Sequence, residues 1–261
     1  MGNLIKMDFR RLFHTPMFII SMCVIAALNI ITTCGVAVVS NLLAKDAAPS
    51  VTPLSDIIMH PFAGGIFAIA LFASLINFSF ADIANGYVKN LAGQLKRRSD
   101  LVVSKYIVLG VHNCVFMLVG ILSQFLAYGI LVVLKMGKIT NDGHVFAAVV
   151  TVLLKWMLLM AITSILIFIT NGIRNKTLAT IVGVVLGTGA LGFAYMGLNM
   201  AISNILKTDG FDLAEYMPDT LMSSIDVVAN TAVLNAIIVS IVCTAIFLGL
   251  TIKVFNSRDV K

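Results

Sequence analysis

Long runs of apolar residues alternate with short polar breaks along the whole chain, and these runs define the predicted architecture. A helix of about 20 mainly apolar residues crosses roughly 30 Å of hydrocarbon. Six runs reach that length, and each is continuous rather than alternating, which favours helices over a barrel. The predicted spans cover residues 17–43, 57–81, 106–134, 145–171, 177–206 and 231–253.

A shorter amphipathic stretch, residues 4–14, precedes the first run. Its apolar and basic side chains fall on different faces if the stretch is helical. The apolar face holds Ile5, Phe9, Leu12 and Phe13, and the basic face holds Lys6, Arg10 and His14. We predict a helix that lies in the membrane interface and enters the first span through Thr15-Pro16. A basic flank that only sets the topology is the alternative.

Composition supports the membrane class. Hydrophobic residues make up 59% of the 261 positions and charged residues only 11%, whereas a soluble domain carries about 25% charged residues. The mean hydropathy is +1.02. We therefore predict an all-α integral membrane protein, with residues 1–261 forming one transmembrane domain of six helices.

Basic residues predict which ends of the spans face the cytoplasm. Most lysines and arginines fall near the two termini and in the loops around 82–105 and 172–176. The opposite loops hold only Lys45, Lys135, Lys138 and Lys207. Because positive charge is retained on the cytoplasmic side, both termini are predicted to be cytoplasmic.

The longest polar break, residues 79–108, separates the second and third spans. Its cations are Lys89, Lys96, Arg97, Arg98 and Lys105. Tyr87, Val88, Leu91 and Leu95 form a short apolar stripe at helical spacing. We predict a cytoplasmic helix over Gly86–Leu95 that lies along the membrane and presents side chains to a soluble partner. A loop that only sets orientation and touches anionic lipid remains the alternative.

This break resembles the segment between spans two and three of the ABC-2 type transporter permeases. In that family an acid and a glycine precede Lys-Asn, and a basic turn then leads to a lysine that opens the next helix. The matching residues are Asp82, Gly86, Lys89, Asn90, Arg98 and Lys105. Asp82 and Tyr87 depart from the commoner Glu and Thr.

The resemblance implies that the chain is the membrane permease subunit of an ATP-driven exporter in a bacterial cytoplasmic membrane. Two copies of an ATP-binding subunit would bind ATP and Mg²⁺, a second permease copy would pair with the chain, and amphipathic peptides or antibiotics would be the cargo. The ATPase-coupling residues would be Asp82, Gly86, Tyr87, Val88, Lys89, Asn90, Leu91, Leu95, Arg97 and Arg98. The sequence has no G-x-x-x-x-G-K-[ST] motif, so the chain is not expected to hydrolyse ATP itself.

Three features inside the spans are further candidates. Lys155 is an ionisable residue within the fourth span, where it either reaches outward to the interface beside Trp156 or contacts substrate. Gly183 and Gly187 form a G-x-x-x-G pair, followed by Gly189, and suit either a contact between permease copies or packing within one chain. Asn29 either lines a pathway or bonds between helices.

Other functions remain as alternatives. A membrane immunity or sensor protein would bind a toxin without moving it, and an ion-driven secondary transporter would use an intramembrane acid. The histidines and cysteines have no spacing typical of a metal site or a disulfide framework. The basic balance is explained by topology, so no nucleic-acid partner is expected.

Overall fold

The computed structural model describes residues 2–43, 50–59, 65–86, 99–206, 212–227 and 232–257. Its α-helices are α1 (Gly2–His14), α2 (Pro16–Leu43), α3 (Leu54–Met59), α4 (Gly65–Ala84), α5 (Ser99–Val133), α6 (Val145–Ile167), α7 (Lys176–Thr188), α8 (Leu191–Leu206), α9 (Pro218–Ser224) and α10 (Val233–Ser257). A π-helical turn, Phe168–Ile173, continues α6, and a 3₁₀ helix, Leu213–Tyr216, precedes α9. Two short strands are β1 (Ser50–Pro53) and β2 (Gly137–Thr140).

Membrane-length helices dominate the described residues. Five are long and apolar enough to cross a bilayer: α2, α4, α5, α6 with its π-helical turn, and α10. A sixth span results if α7 and α8 are counted as one bent pair. The predicted class of a helical membrane protein is therefore confirmed at this level, and α1 confirms a separate helix over residues 4–14.

The second predicted span, 57–81, has the wrong bounds. Residues 57–59 belong to the short helix α3, and the membrane-length helix α4 runs from Gly65 to Ala84. The sequence between them contains Pro61, which cannot donate a helical hydrogen bond and disfavours one continuous helix.

The fifth predicted span, 177–206, is divided into two helices in the structure. α7 and α8 meet at an angle of 80°. Gly189 ends α7 with a φ of +69°, a left-handed conformation that glycine adopts without steric cost. α7 has 13 residues and so rises about 20 Å, less than the hydrocarbon thickness.

The structure also contains a small β-sheet that was not predicted from the sequence. β1 and β2 pair in parallel, with Ser50 opposite Gly137 and Pro53 opposite Thr140. The pair joins the chain after α2 to the chain after α5, and Asp142 accepts a hydrogen bond from Ser55 close by. These contacts hold together the bundle end that the charge pattern assigns to the outside.

α6 is the most enclosed of the membrane-length helices. In its most apolar stretch 67% of residues are buried, compared with 11% in α2. Leu158, Leu159, Ile162 and Leu166 of α6 are almost completely inaccessible. α6 therefore forms the centre of the bundle, whereas α2 packs on α5 and α4 and exposes the rest of its surface.

Candidate functional site

Four charged side chains meet at the bundle end that the basic residues assign to the cytoplasm. We call Asp8, Arg11, Asp82 and Lys105 the inner ionic cluster. Asp82 is its centre: one carboxylate oxygen lies 2.7 Å from Nζ of Lys105, and the other accepts a hydrogen bond from Arg11. Arg11 also lies 3.6 Å from Asp8. Two acidic side chains thus neutralise two basic ones. Such pairing is needed because an unpaired charge is costly to remove from water.

The pattern of α1 explains how Asp8 reaches this cluster. Leu4, Asp8 and Leu12 are buried and recur every four residues, so they form the face of α1 that packs on the bundle. Oδ2 of Asp8 accepts a hydrogen bond of 2.8 Å from Ser104 of α5. Burial raises the pKa of Asp8, and the Ser104 hydrogen bond opposes that rise.

The cluster continues into the inner end of α6. Nζ of Lys105 donates to the carbonyl of Ser79 at 2.8 Å. The hydroxyl of Ser79 bonds Thr170 at 2.9 Å and accepts from the amide of Asn171 at 2.9 Å. Thr170 and Asn171 lie in the π-helical turn, a geometry that is frequent at functional sites. Ion pairs and hydrogen bonds therefore join α1, α4, α5 and α6.

A second polar group lies one heptad further along α5. His112 bonds Ser74 of α4 at 3.0 Å, and Asn113 donates to Thr163 of α6 at 2.8 Å. His112 and Asn113 are both fully buried. We call these four residues the middle polar layer. Because Lys105 and His112 are seven residues apart, the cluster and the layer lie on one face of α5.

Lys155 lies at the opposite end of the bundle. It is only 6% exposed, and its Nζ donates to the carbonyl of Met59 at 3.4 Å. The carboxylate of Asp226 attracts it electrostatically. The end of the Lys155 side chain therefore contacts the last residue of α3. Beside it, the indole of Trp156 donates a hydrogen bond to the carbonyl of Gly110 at 3.1 Å.

The glycine pair of α7 packs within the chain. A Cβ on Gly183 would lie 3.0 Å from the Ile76 side chain, and one on Gly187 would lie 3.0 Å from that of Ile69. Both neighbours belong to α4, so these two glycines allow α7 and α4 to pack closely within the chain. Gly189 instead forms the elbow between α7 and α8.

Asn29 connects α2 to α5. Its amide donates to Ser123 at 3.0 Å and lies 3.5 Å from the carbonyl of Gly120. Thr33, one turn further along α2, donates to Gln124 at 3.2 Å. Asn29 therefore forms a hydrogen bond between two helices, as one of the two interpretations expected.

Only two of the predicted coupling residues fall within the described part of the chain. Asp82 is 3% exposed at the inner end of α4, and Gly86 follows that helix with a φ of +67°. The sharp turn expected at Gly86 is confirmed. The remaining eight lie outside the described residues: Tyr87, Val88, Lys89, Asn90, Leu91, Leu95, Arg97 and Arg98.

Sequence reasoning missed the partners that α1 contributes. Asp8 occupies a regular four-residue repeat between Leu4 and Leu12, and an acid on such a stripe is a signal that could have been used. Nothing in the spacing pointed to Arg11 as the partner of Asp82, 71 positions away. The middle polar layer was also missed, because His112 was weighed only as a metal ligand.

The fold and these polar groups define a helical multi-pass membrane protein whose bundle is joined internally by charge pairs and hydrogen bonds. Among the residues that the structure describes, no group of three or more His, Cys, Asp or Glu is placed to hold a metal ion. Comparison with protein-family models, curated proteins and solved structures finds no match to this chain.

Proposed function

We propose that this chain is the membrane-spanning permease subunit of an ATP-driven exporter of the ABC-2 type, with ATP hydrolysed by a separate subunit. The observation that carries the proposal is the inner ionic cluster. Asp82 lies five residues before the segment 87–98, and Lys105 lies seven residues after it, yet their charged groups are 2.7 Å apart. A buried ion pair thus joins the ends of α4 and α5 that flank this segment.

An ion pair that joins the ends of α4 and α5 would help the segment between them to transmit a mechanical load. A motor that pushes on residues 87–98 would move the clamped ends of α4 and α5 together. Arg11 would pass the same motion to α1, and Ser79 would pass it to the π-helical turn below α6. Closely packed helices respond to such a load by moving as rigid bodies between discrete packings.

The middle polar layer supports this view of the bundle. It ties α4, α5 and α6 together about 10 Å further from the cytoplasmic end, because seven residues of α-helix rise by that distance. These helices are then connected at two levels and would tilt as one body. Hydrogen bonds between membrane helices are worth about 0.6 kcal/mol each, so two levels of bonding resist separation without preventing a concerted movement.

The remaining parts of the proposal follow from the resemblance in the 79–108 segment. The complex would contain two ATP-binding subunits and a second permease, either identical or a close paralogue, in a bacterial cytoplasmic membrane. The exported molecules would be amphipathic peptides or antibiotics.

Purification of the full chain with its bound partners tests the proposal. We expect a P-loop ATPase to co-purify, and ATP to drive export in reconstituted vesicles. Replacing Tyr87 and Leu91 together with Asp should abolish export while the protein still inserts, because the docking stripe is lost. The matched control is Val51→Asp with Ile139→Asp, which places two acids on exposed positions of the outer sheet. Equal export by both double variants would contradict the proposal.

An ion-driven transporter is the second candidate, and one observation favours it. Asp82 and His112 are both ionisable and buried between membrane-length helices, where such residues often belong to ion or proton pathways. Vesicles that contain the chain alone distinguish the two functions. Transport driven by a proton gradient without ATP supports the second candidate, whereas binding of a toxin without any transport supports an immunity or sensor protein.

A further inference from the structure

A cavity of about 370 Å³ lies between α8 and the 3₁₀ helix that follows it in the chain. Its volume falls within the range of about 300–1,000 Å³ that is typical of small-molecule sites. The principal lining residues are Tyr195, Met196, Asn199, Met200, Ser203 and Asp212. Five of these recur at spacings of three and four, so one face of α8 forms a continuous wall.

Hydrogen bonds fix the polar side of the cavity. Oδ1 of Asp212 accepts from the amide of Asn199 at 2.6 Å and from the backbone of Ala214 at 2.9 Å. The carbonyl oxygen of Asn199 in turn accepts from the backbone of Leu213 at 2.8 Å. The Asp212 carboxylate is therefore held at the cavity wall by the start of the 3₁₀ helix and by α8 together.

The two described segments that line the cavity carry acidic side chains but no basic ones. The described residues of 191–206 and 212–227 include no lysine or arginine, and their acids are Asp212, Glu215, Asp219 and Asp226. Asp219 accepts a hydrogen bond of 3.0 Å from the hydroxyl of Tyr195, and its other oxygen is buried without a hydrogen-bond partner. Such a concentration of carboxylates produces a negative potential that attracts cations.

The wall that α8 forms also carries apolar, adaptable side chains. Met196 and Met200 are 60% and 59% exposed, and their thioether chains can repack around ligands of different shape. Tyr195 also borders the cavity, with 8% of its surface exposed. A small inorganic ion would make no favourable contact with these apolar side chains. A cation with an apolar body could contact both these side chains and the Asp212 carboxylate.

We propose that this cavity binds a compact lipophilic cation at the outer end of the bundle. The Asp212 carboxylate would face the positive charge, and Met196, Met200 and Tyr195 would cover the apolar body. The site belongs to this chain alone, so binding requires neither an ATPase nor nucleotide and goes beyond the transport function proposed above.

Equilibrium dialysis of the full chain in phosphatidylcholine nanodiscs tests the proposal, with empty nanodiscs subtracted. The probe is radiolabelled tetraphenylphosphonium, and the matched probe is tetraphenylborate, which has the same shape and the opposite charge. We expect saturable binding of the cation only. Asp212→Asn keeps the side-chain shape and should weaken binding about fivefold, as expected for an exposed charge contact. The control Asp56→Asn removes an exposed acid of α3 and should leave binding unchanged.

A variant that binds the cation more tightly distinguishes a direct effect on the site from a loss of folding. Ser203→Asp adds a carboxylate at the cavity wall and should tighten cation binding, which no unfolded variant would do. Equal saturable binding of both probes would indicate a non-specific apolar surface and overturn the proposal. Equal effects of Asp212→Asn and Asp56→Asn, or no tightening by Ser203→Asp, would overturn it as well.

Discussion

The ammonium group of Lys105 lies 2.7 Å from the carboxylate of Asp82, and the two side chains are only 7% and 4% exposed. They belong to α5 and α4, and the segment between them is the most basic part of the sequence. A buried pair of this kind stabilises little relative to apolar residues, but removing one partner leaves an uncompensated buried charge. Its position argues for a role in holding the two helix ends in register.

The first prediction concerns this pair. Lys105→Met should lower the free energy of unfolding by about 3 kcal/mol, because Asp82 then keeps only Arg11 as a charged partner. Combining it with Asp82→Leu should recover much of that loss. Chemical unfolding in detergent micelles measures both effects. Lys138→Met, at an exposed lysine of β2, is the control and should change stability by less than about 0.5 kcal/mol.

The second prediction concerns the pH dependence that Asp8 contributes. Burial raises its pKa above the ordinary value of 3.8, so the folded chain holds this proton at higher pH than the unfolded chain does. The stability that the protonated Asp8 contributes is fully present below pH 3.8. It is lost as the pH rises through the raised pKa. The stability of the wild type relative to Asp8→Asn should therefore fall as pH rises.

Unfolding temperatures measured in detergent from about pH 4 to about pH 7 give that comparison. Asp56→Asn controls for the removal of an exposed acid. If the difference between the wild type and Asp8→Asn increases with pH, the buried environment described for Asp8 is wrong.

The third prediction uses two glycines in neighbouring helices. Gly187→Ala should destabilise the protein by about 2 kcal/mol, because the new Cβ would lie 3.1 Å from the backbone nitrogen of Ile69. Gly197→Ala meets nothing within 4 Å and should stabilise α8 by about 0.5 kcal/mol. Thermal unfolding measures both. A change of oligomeric state in Gly187→Ala without loss of stability would instead support a contact between copies.

The fourth prediction concerns the elbow between α7 and α8. Gly189 has a φ of +69° and open space around its Cα, so an added side chain would cost only conformational energy. Gly189→Ala should destabilise by about 1 kcal/mol. Gly189→Asn should cost less, because asparagine adopts left-handed conformations more readily than alanine. Equal stability of the wild type and Gly189→Ala would contradict the left-handed conformation of Gly189.

The membrane-length helices could be predicted from sequence because continuous apolar runs carry a strong local signal. The first span was placed within one residue of α2, and α1 was recognised from its amphipathic spacing. The bent fifth span could not be predicted, because the same run of small and apolar residues suits a straight helix and a broken one. Only the backbone conformation of Gly189 distinguishes them.

The candidate site was predicted in part. Asp82 and Lys105 were selected from one local motif, but their direct contact depends on how α4 and α5 pack. Arg11 and Asp8 join them from a distant part of the sequence, and no local pattern encodes that pairing. The same reason applies to Gly183 and Gly187, whose spacing fits any close helix contact and does not name the partner helix.

Photo-crosslinking in intact cells tests whether the segment between α4 and α5 binds an ATP-hydrolysing subunit. A photoreactive amino acid replaces Leu91 in the full chain, and the same amino acid at Ile139 of the exposed outer sheet is the control. We expect position 91 to crosslink to a soluble ATP-binding protein with a P-loop and position 139 not to do so. Crosslinks from position 91 to lipid alone would contradict the account.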